Sequence, residues 1–156
     1  MYQLPEIKPR KKPRAPYKKP EAVKELERLA FEAACADHPN VPRNVIAPRI
    51  FRDDTAGGLS KCVVADITLK GGFATRVNSM GVYRASLKKF TFSGQKKGVG
   101  DVIGTYKGLS IQVEIKIGRD QQSEHQKKVQ QEHEAAGGLY YLARNFTDFK
   151  TWFDSL

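Results

Sequence analysis

The sequence predicts an α/β domain: a mixed central sheet flanked by helices, preceded by a disordered basic N-terminal arm. Three observations predict it. Segments of helical and strand periodicity follow one another as helix, strand, hairpin, helix, strand, helix, an order that builds an open or three-layer α/β domain. Ile111, Val113, Ile115 and Ile117 alternate with Gln112, Glu114 and Lys116, the period-two pattern of a half-buried strand. Residues 1–20 hold five of the eight prolines and seven lysines and arginines against the single acid Glu6.

The totals agree with one soluble domain. The chain has 156 residues, 40% of them hydrophobic and 28% charged, enough for a single core. No apolar run approaches the ~20 residues needed to span a bilayer, so no membrane partner is expected. The positive N-terminus has no apolar stretch behind it, which argues against a secretory signal. Cys35 and Cys62 form neither a disulfide framework nor a metal spacing and read as packing residues in a reducing compartment. The net charge of +10 favours a polyanionic partner, but +6 of it sits in residues 1–20. Charge alone therefore does not make the body a nucleic-acid binder.

The expected boundaries are an arm over 1–20 and one domain over 21–156, with a helical lead-in 21–54 and a core 55–156. In the arm, proline removes donors and repelling charges extend the chain. Its cations Lys8, Arg10, Lys11, Lys12 and Arg14 can contact phosphate, or the arm can be a solubilising tail. From Glu21 to about Ala36, Val23, Leu26, Leu29, Ala30, Ala33 and Ala34 recur at helical steps, with Pro20 at the start and His38-Pro39 at the end. His38 suits a helix exit better than a metal. Residues 37–58 look irregular, and Asp53-Asp54 reads as turn chemistry.

Ser60 can cap a second helix running to about Lys70, stopped by Gly71-Gly72. Asp66 is the one acid inside it. Phe73 to Ser79 is a strand with Phe73, Thr75 and Val77 on one face and Arg76 and Asn78 on the other. Lys88 to Phe92 is a further extended excursion between Gly81 and Gly94. Asp101 to Tyr106 turns at Lys107-Gly108 into the alternating strand, an antiparallel hairpin that brings Asp101 alongside Glu114 and Lys116. A helix follows from about Gln121 to Ala136, then a buried strand Leu139 to Ala143. Thr147 can cap a last helix carrying Phe149, Trp152 and Phe153.

Two apparent motifs fail on spacing. Gly98-x-Gly100-x-x-x-Gly104 lacks the helix a dinucleotide phosphate would sit on, and His133-Glu134 has Gly137 where a second zinc histidine must stand. His125 and His133 lie about 12 Å apart along one helix, too far to share a metal. What survives is Asp101, Glu114 and Lys116. Two carboxylates at a sheet rim make a hard-oxygen site suited to Mg²⁺ or Mn²⁺, and Lys116 could stabilise charge on a phosphate. A Glu-x-Lys pair on a strand is equally an exposed ion pair. Both readings stand at this level.

Asp101 and Glu114-Ile115-Lys116 across a hairpin, then a helix with Gln126, resemble the PD-(D/E)xK nuclease superfamily and its restriction-endonuclease-like core. Lys97-Gly98-Val99-Gly100-Asp101-Val102, Ser123-Glu124-His125-Gln126, Gly137-Gly138-Leu139-Tyr140 and Asp148-Phe149 most resemble its virus-type replication-repair nuclease (VRR-NUC) branch. The close likeness covers about residues 98–154, and a looser one begins near Thr55. It implies metal-dependent hydrolysis of DNA phosphodiester bonds, on branched or flapped DNA, in the cytoplasm of a bacterial or phage-infected cell. Asp101, Glu114 and the Ile115 carbonyl would hold Mg²⁺ or Mn²⁺ and Lys116 would be catalytic, with no organic cofactor. Gln126 matches a glutamine near the family site, though Ser123-x-x-Gln126 is also a capping box. An additional helix acid is expected, with Asp66 the nearest match and Glu32 a weaker one; Gly100 stands where the family often has proline. Arg76, Asn78, Lys96 and Lys97 join the arm as nucleic-acid contacts, Arg76 and Asn78 on the site face. A domain this small covers little duplex, so a homodimer cutting two strands is reasonable. The competing reading is a non-catalytic, basic nucleic-acid-binding protein.

Overall fold

Pro20 opens the fold by fixing an extended φ of −64° and leaving its carbonyl to accept from Val23 and Lys24, both at 3.2 Å. The computed structural model that carries this and all later detail describes residues 16–77, 82–91 and 96–156. Helix α1 (Glu21–Asp37) buries Val23, Leu26 and Ala30, the inner stripe its periodicity requires. A looped stretch with one short helical turn at Arg43–Val45 leads to α2 (Ala56–Leu69). The α2 cap is Thr55, whose side chain accepts from the Gly58 amide at 3.1 Å, so the cap stands five residues before the expected Ser60. Ser60 instead lies inside the helix, bonding back to the Ala56 carbonyl at 2.8 Å. Gly58 permits the early start, because a Cβ there would sit 2.2 Å from the Arg52 carbonyl oxygen.

Four strands form the main sheet: β1 (Phe73–Arg76), β4 (Val102–Tyr106), β5 (Leu109–Ile115) and β6 (Leu139–Ala143). Their order is β1-β4-β5-β6, antiparallel at the first two junctions and parallel at the last. A separate two-stranded sheet pairs β2 (Val82–Arg84) with β3 (Lys89–Thr91), within the excursion expected between β1 and the hairpin. Helix α3 (Glu124–Ala135) makes the crossover from β5 to β6, and α4 (Phe146–Asp154) closes the chain. The mixed α/β architecture is therefore as the sequence predicts. Strand β1 ends at Arg76; Asn78 and Ser79 lie outside the described residues, as does Phe92.

The two faces of the sheet differ. Helices α1, α2 and α4 cover one face with a continuous core of Leu26, Leu59, Ile67, Val102, Ile111, Val113, Phe146, Phe149 and Phe153. Tyr106 meets Phe153 in a tilted contact at 4.6 Å and Tyr141 stacks on Trp152 at 4.4 Å, tying α4 to the strands. On the other face, among the described residues, α3 packs over Gln112 and Glu114 of β5. Strand β5 is consequently buried on both sides near its end, not half-buried as its alternation suggests.

Two boundaries move for physical reasons. Residues 16–20 belong to the body rather than to the arm: the Tyr17 hydroxyl bonds Asp53 at 2.8 Å and Lys19 pairs with Glu27 at 2.6 Å. Asp53 is more than a turn residue, since its other oxygen accepts from the Phe146 amide at 3.1 Å and ties the loop to the start of α4. Helix α4 is capped by Asn145, which accepts from the Asp148 amide at 2.8 Å, and not by Thr147 two residues later. Among the described residues, no helix is long and apolar enough to cross a membrane.

Candidate functional site

The site is assembled by a two-residue turn. Lys107 and Gly108 both take positive φ, 48° and 80°, the pattern whose twist matches antiparallel strands and pairs Tyr106 with Leu109. The register that follows sets Val102 opposite Val113, which carries Asp101 to the end of β5. There the Ile115 amide donates to Asp101 Oδ2 at 2.9 Å, while the Asp101 carbonyl accepts from Val77 at 2.8 Å. Asp101 is thus fastened to strands on both sides.

Glu114 and Lys116 leave the same face of β5, as period two requires, and meet: Lys116 Nζ lies 3.0 Å from Glu114 Oε1. The pair is not on the surface. Glu114 is 2% exposed and Lys116 6%, whereas the second partner of Lys116, Asp120 at 3.5 Å, is open to solvent. Gln126 Nε2 donates to the same Oε1. Glu114 Oε2 is buried and has no hydrogen-bond partner among the described residues. Burial pushes the Glu114 carboxyl up to about 7; Lys116 pulls it down and the nearby Asp101 adds to the rise. A buried carboxylate oxygen without a donor is costly unless a proton or a cation meets it.

Helix α3 supplies the fixed donor. Ser123 and Gln126 form a capping box: Ser123 Oγ accepts from the Gln126 amide at 3.3 Å, and Gln126 Oε1 accepts from the Ser123 amide at 2.8 Å. That second bond commits the amide oxygen of Gln126 and leaves its NH₂ for Glu114. One side chain therefore serves both of the roles its sequence position suggests. Gly98, at φ +88°, lets the loop before Asp101 lie against the first turn of α3, where a Cβ would stand 2.4 Å from the His125 carbonyl oxygen.

Sequence reasoning passed over three neighbours on this face. Gln112 accepts from the Gly100 amide at 3.3 Å and meets His133 Nδ1 at 3.2 Å, bridging the strand to α3. With the Gln112 oxygen committed, its NH₂ donates to Nδ1 and the proton sits on His133 Nε2, which is buried and has no partner among the described residues. Tyr140, opposite Gln112 on β6, accepts from Gln122 at 3.3 Å, and burial pushes its hydroxyl up to about 12. The alternation already put Gln112 on the Glu114 face; the α3 contacts needed the fold.

Other expected members lie elsewhere. Asp66 is buried on α2, across the sheet, bonded to Lys70 at 2.9 Å, and does not approach Glu114. Glu32 is an exposed partner of Arg43. Arg76 pairs with Val102, and Val102 with Val113, so Arg76 leaves the core face and not the Glu114 face. Lys96 pairs with Glu132 of α3 on the surface, and Lys97 is exposed beside it. Asn78, Lys8, Arg10, Lys11, Lys12 and Arg14 lie outside the described residues.

The groups that the hairpin brings together are the carboxylates of Asp101 and Glu114, both hard-oxygen donors, with the Ile115 amide nitrogen bonded to Asp101. With the bare Glu114 Oε2 the two carboxylates fit Mg²⁺ or Mn²⁺ better than zinc. Among the described residues no cluster of three or more His, Cys, Asp or Glu could hold a metal. No family model, curated protein or solved structure matches the chain.

Proposed function

We propose that this protein is a metal-dependent nuclease that hydrolyses DNA phosphodiester bonds, an endonuclease of the PD-(D/E)xK superfamily and most like its VRR-NUC branch. The observation that carries the reading is Glu114, a buried carboxylate held through one oxygen by Lys116 and Gln126, with its other oxygen bare. The mixed sheet flanked by helices supports it, since the acids lie on one hairpin and Gln126 arrives on the next helix, as the resemblance implies.

Asp101, Glu114 and the Ile115 carbonyl would hold Mg²⁺ or Mn²⁺, which when bound polarises a phosphate oxygen and acidifies water. The chain's own residues do the rest. Gln126 fixes the rotation of the Glu114 carboxylate and so which oxygen is left open. Lys116 keeps a cation in a water-poor setting, where it counts for more against charge growing on phosphate than it would in solvent. Branched or flapped DNA in replication, repair, or phage and mobile-element metabolism is the substrate class, with a homodimer where two strands are cut.

The specific observation for the second reading, a non-catalytic nucleic-acid-binding protein, is that among the described residues no group of three or more His, Cys, Asp or Glu could hold a metal ion. A nicking assay on branched and linear DNA separates the two. The parent should cut with Mg²⁺ and stop on chelation, and Asp101→Ala or Lys116→Ala should lose about 10³-fold in rate. Variants that cut as fast as the parent would refute the nuclease.

A further inference from the structure

Arg76 has left the face expected of it, and its new surroundings are cationic. A trench of about 430 Å³ is lined by Ile50, Arg52, Thr55, Gly57, Lys61 and Arg76. It shares Ile50, Lys61 and Arg76 with a groove of about 760 Å³ between α1 and α2, where Arg49 adds a fourth cation. Asp37 is the one acid lining either. Arg52 is held by Asp54 at 2.7 and 3.0 Å, but among the described residues no carboxylate pairs with Arg49, Lys61 or Arg76.

We infer that this trench binds the sugar–phosphate backbone of the nucleic acid that the candidate site acts on. The inference rests on the nucleic-acid part of the reading above and extends it to residues on the opposite face of the sheet. Position favours this occupant. Val77, next to Arg76, donates to the Asp101 carbonyl, so the trench and the candidate site share one end of the sheet and a strand leaving the site can pass over that end.

Charge favours it too. Cations that the fold does not neutralise, gathered in a concavity with apolar walls, focus a positive potential on a polyanion. The trench is also accessible: Ile50 is 71% exposed at its rim, and a Cβ on Gly57 meets nothing within 4 Å, so the floor is open to a bulky chain.

The test is fluorescence anisotropy of a labelled branched DNA with the full chain in EDTA, across a range of salt. Lys61→Glu combined with Arg76→Glu should weaken binding at low salt by at least about tenfold and flatten the log–log salt slope by about 2. Lys61→Ala with Arg76→Ala should shift both in the same direction by less. Lys24→Glu, a single charge reversal on the far side of α1, should change neither.

Double variants that bind like the parent, or a parent that binds no DNA, overturn the inference. A parent that engages polyglutamate through Lys61 and Arg76 but not DNA would assign the trench to an acidic protein and also overturn it. The two readings fail separately. Unchanged binding with Mg²⁺-dependent cutting intact removes the trench alone. Trench-dependent binding by a parent that never cuts removes the nuclease alone.

Discussion

Asp66 and Glu114 are both buried carboxylates with a lysine partner, on opposite faces of one sheet, and the fold treats them differently. Asp66 sits in a closed network: Lys70 bonds it at 2.9 Å and also bonds Asp154, which Lys150 holds at 2.7 Å. None of its buried oxygens lacks a partner. Glu114 has two donors, Lys116 and Gln126, but both converge on one oxygen and leave the other bare. Burial raises both carboxyls. The difference lies in what is left over: among the described residues Glu114 keeps a buried oxygen that meets no donor, and Asp66 keeps no oxygen that is both buried and unpaired.

The largest contrast should appear in cleavage. Lys116→Met is expected to cost about 10³-fold in rate per folded molecule, whereas Lys70→Met, which also strips a lysine from a buried acid, should leave the rate unchanged. Single-turnover nicking corrected for the folded fraction measures both. Equal losses would mean the two acids are equally structural.

Stability against pH comes next. The Glu114 carboxyl lies above its ordinary value, at about 7, so the folded state favours its protonated form. Its contribution is fully present below the unfolded value of about 4.5 and is lost as pH rises through about 7, by about 3 kcal/mol in total. Glu114→Gln removes that loss. Urea unfolding without metal should find the variant level with the parent at pH 4 and more stable at pH 8. Asp66→Asn should show the same sign, because burial raises that carboxyl too, with Lys70 and Lys150 opposing it.

Gln126 separates its own two roles on a smaller scale. Gln126→Ala loses the cap and the Glu114 donor together, at about 1–2 kcal/mol in a thermal melt. Gln126→Glu can keep the capping box but sets a second carboxylate against Glu114, so the pH at which stability is lost should move further up. The smallest effect is far away: Tyr17→Phe deletes the bond to Asp53 at about 1 kcal/mol, which checks that residues 16–20 belong to the body.

Local rules made much of this legible in the sequence. The alternation in β5 and the Lys107-Gly108 turn fix the hairpin and its register, and hence the meeting of Asp101 with Glu114. The Ser123-Gln126 box marks the start of α3. Burial was not legible, because α3 covers Glu114 and Lys116 only after the crossover to β6 has formed. The Asp53–Phe146 bond spans 93 residues and leaves no local pattern. Caps misled where two candidates stood close, Thr55 or Ser60 and Asn145 or Thr147, each able to offer an oxygen. Arg76 misled because its side of the strand depends on which face α2 covers, and periodicity alone leaves that open.

If the open oxygen of Glu114 is a metal-ligand position completed by Asp101, as proposed, crystals soaked in Mn²⁺ and measured at the manganese edge will reveal it. One anomalous peak is expected in contact with Glu114 and Asp101 and within reach of the Ile115 carbonyl, absent from Asp101→Ala crystals. A parent that shows no peak at saturating Mn²⁺ with both carboxylates in place, or a peak indifferent to Asp101, would contradict it.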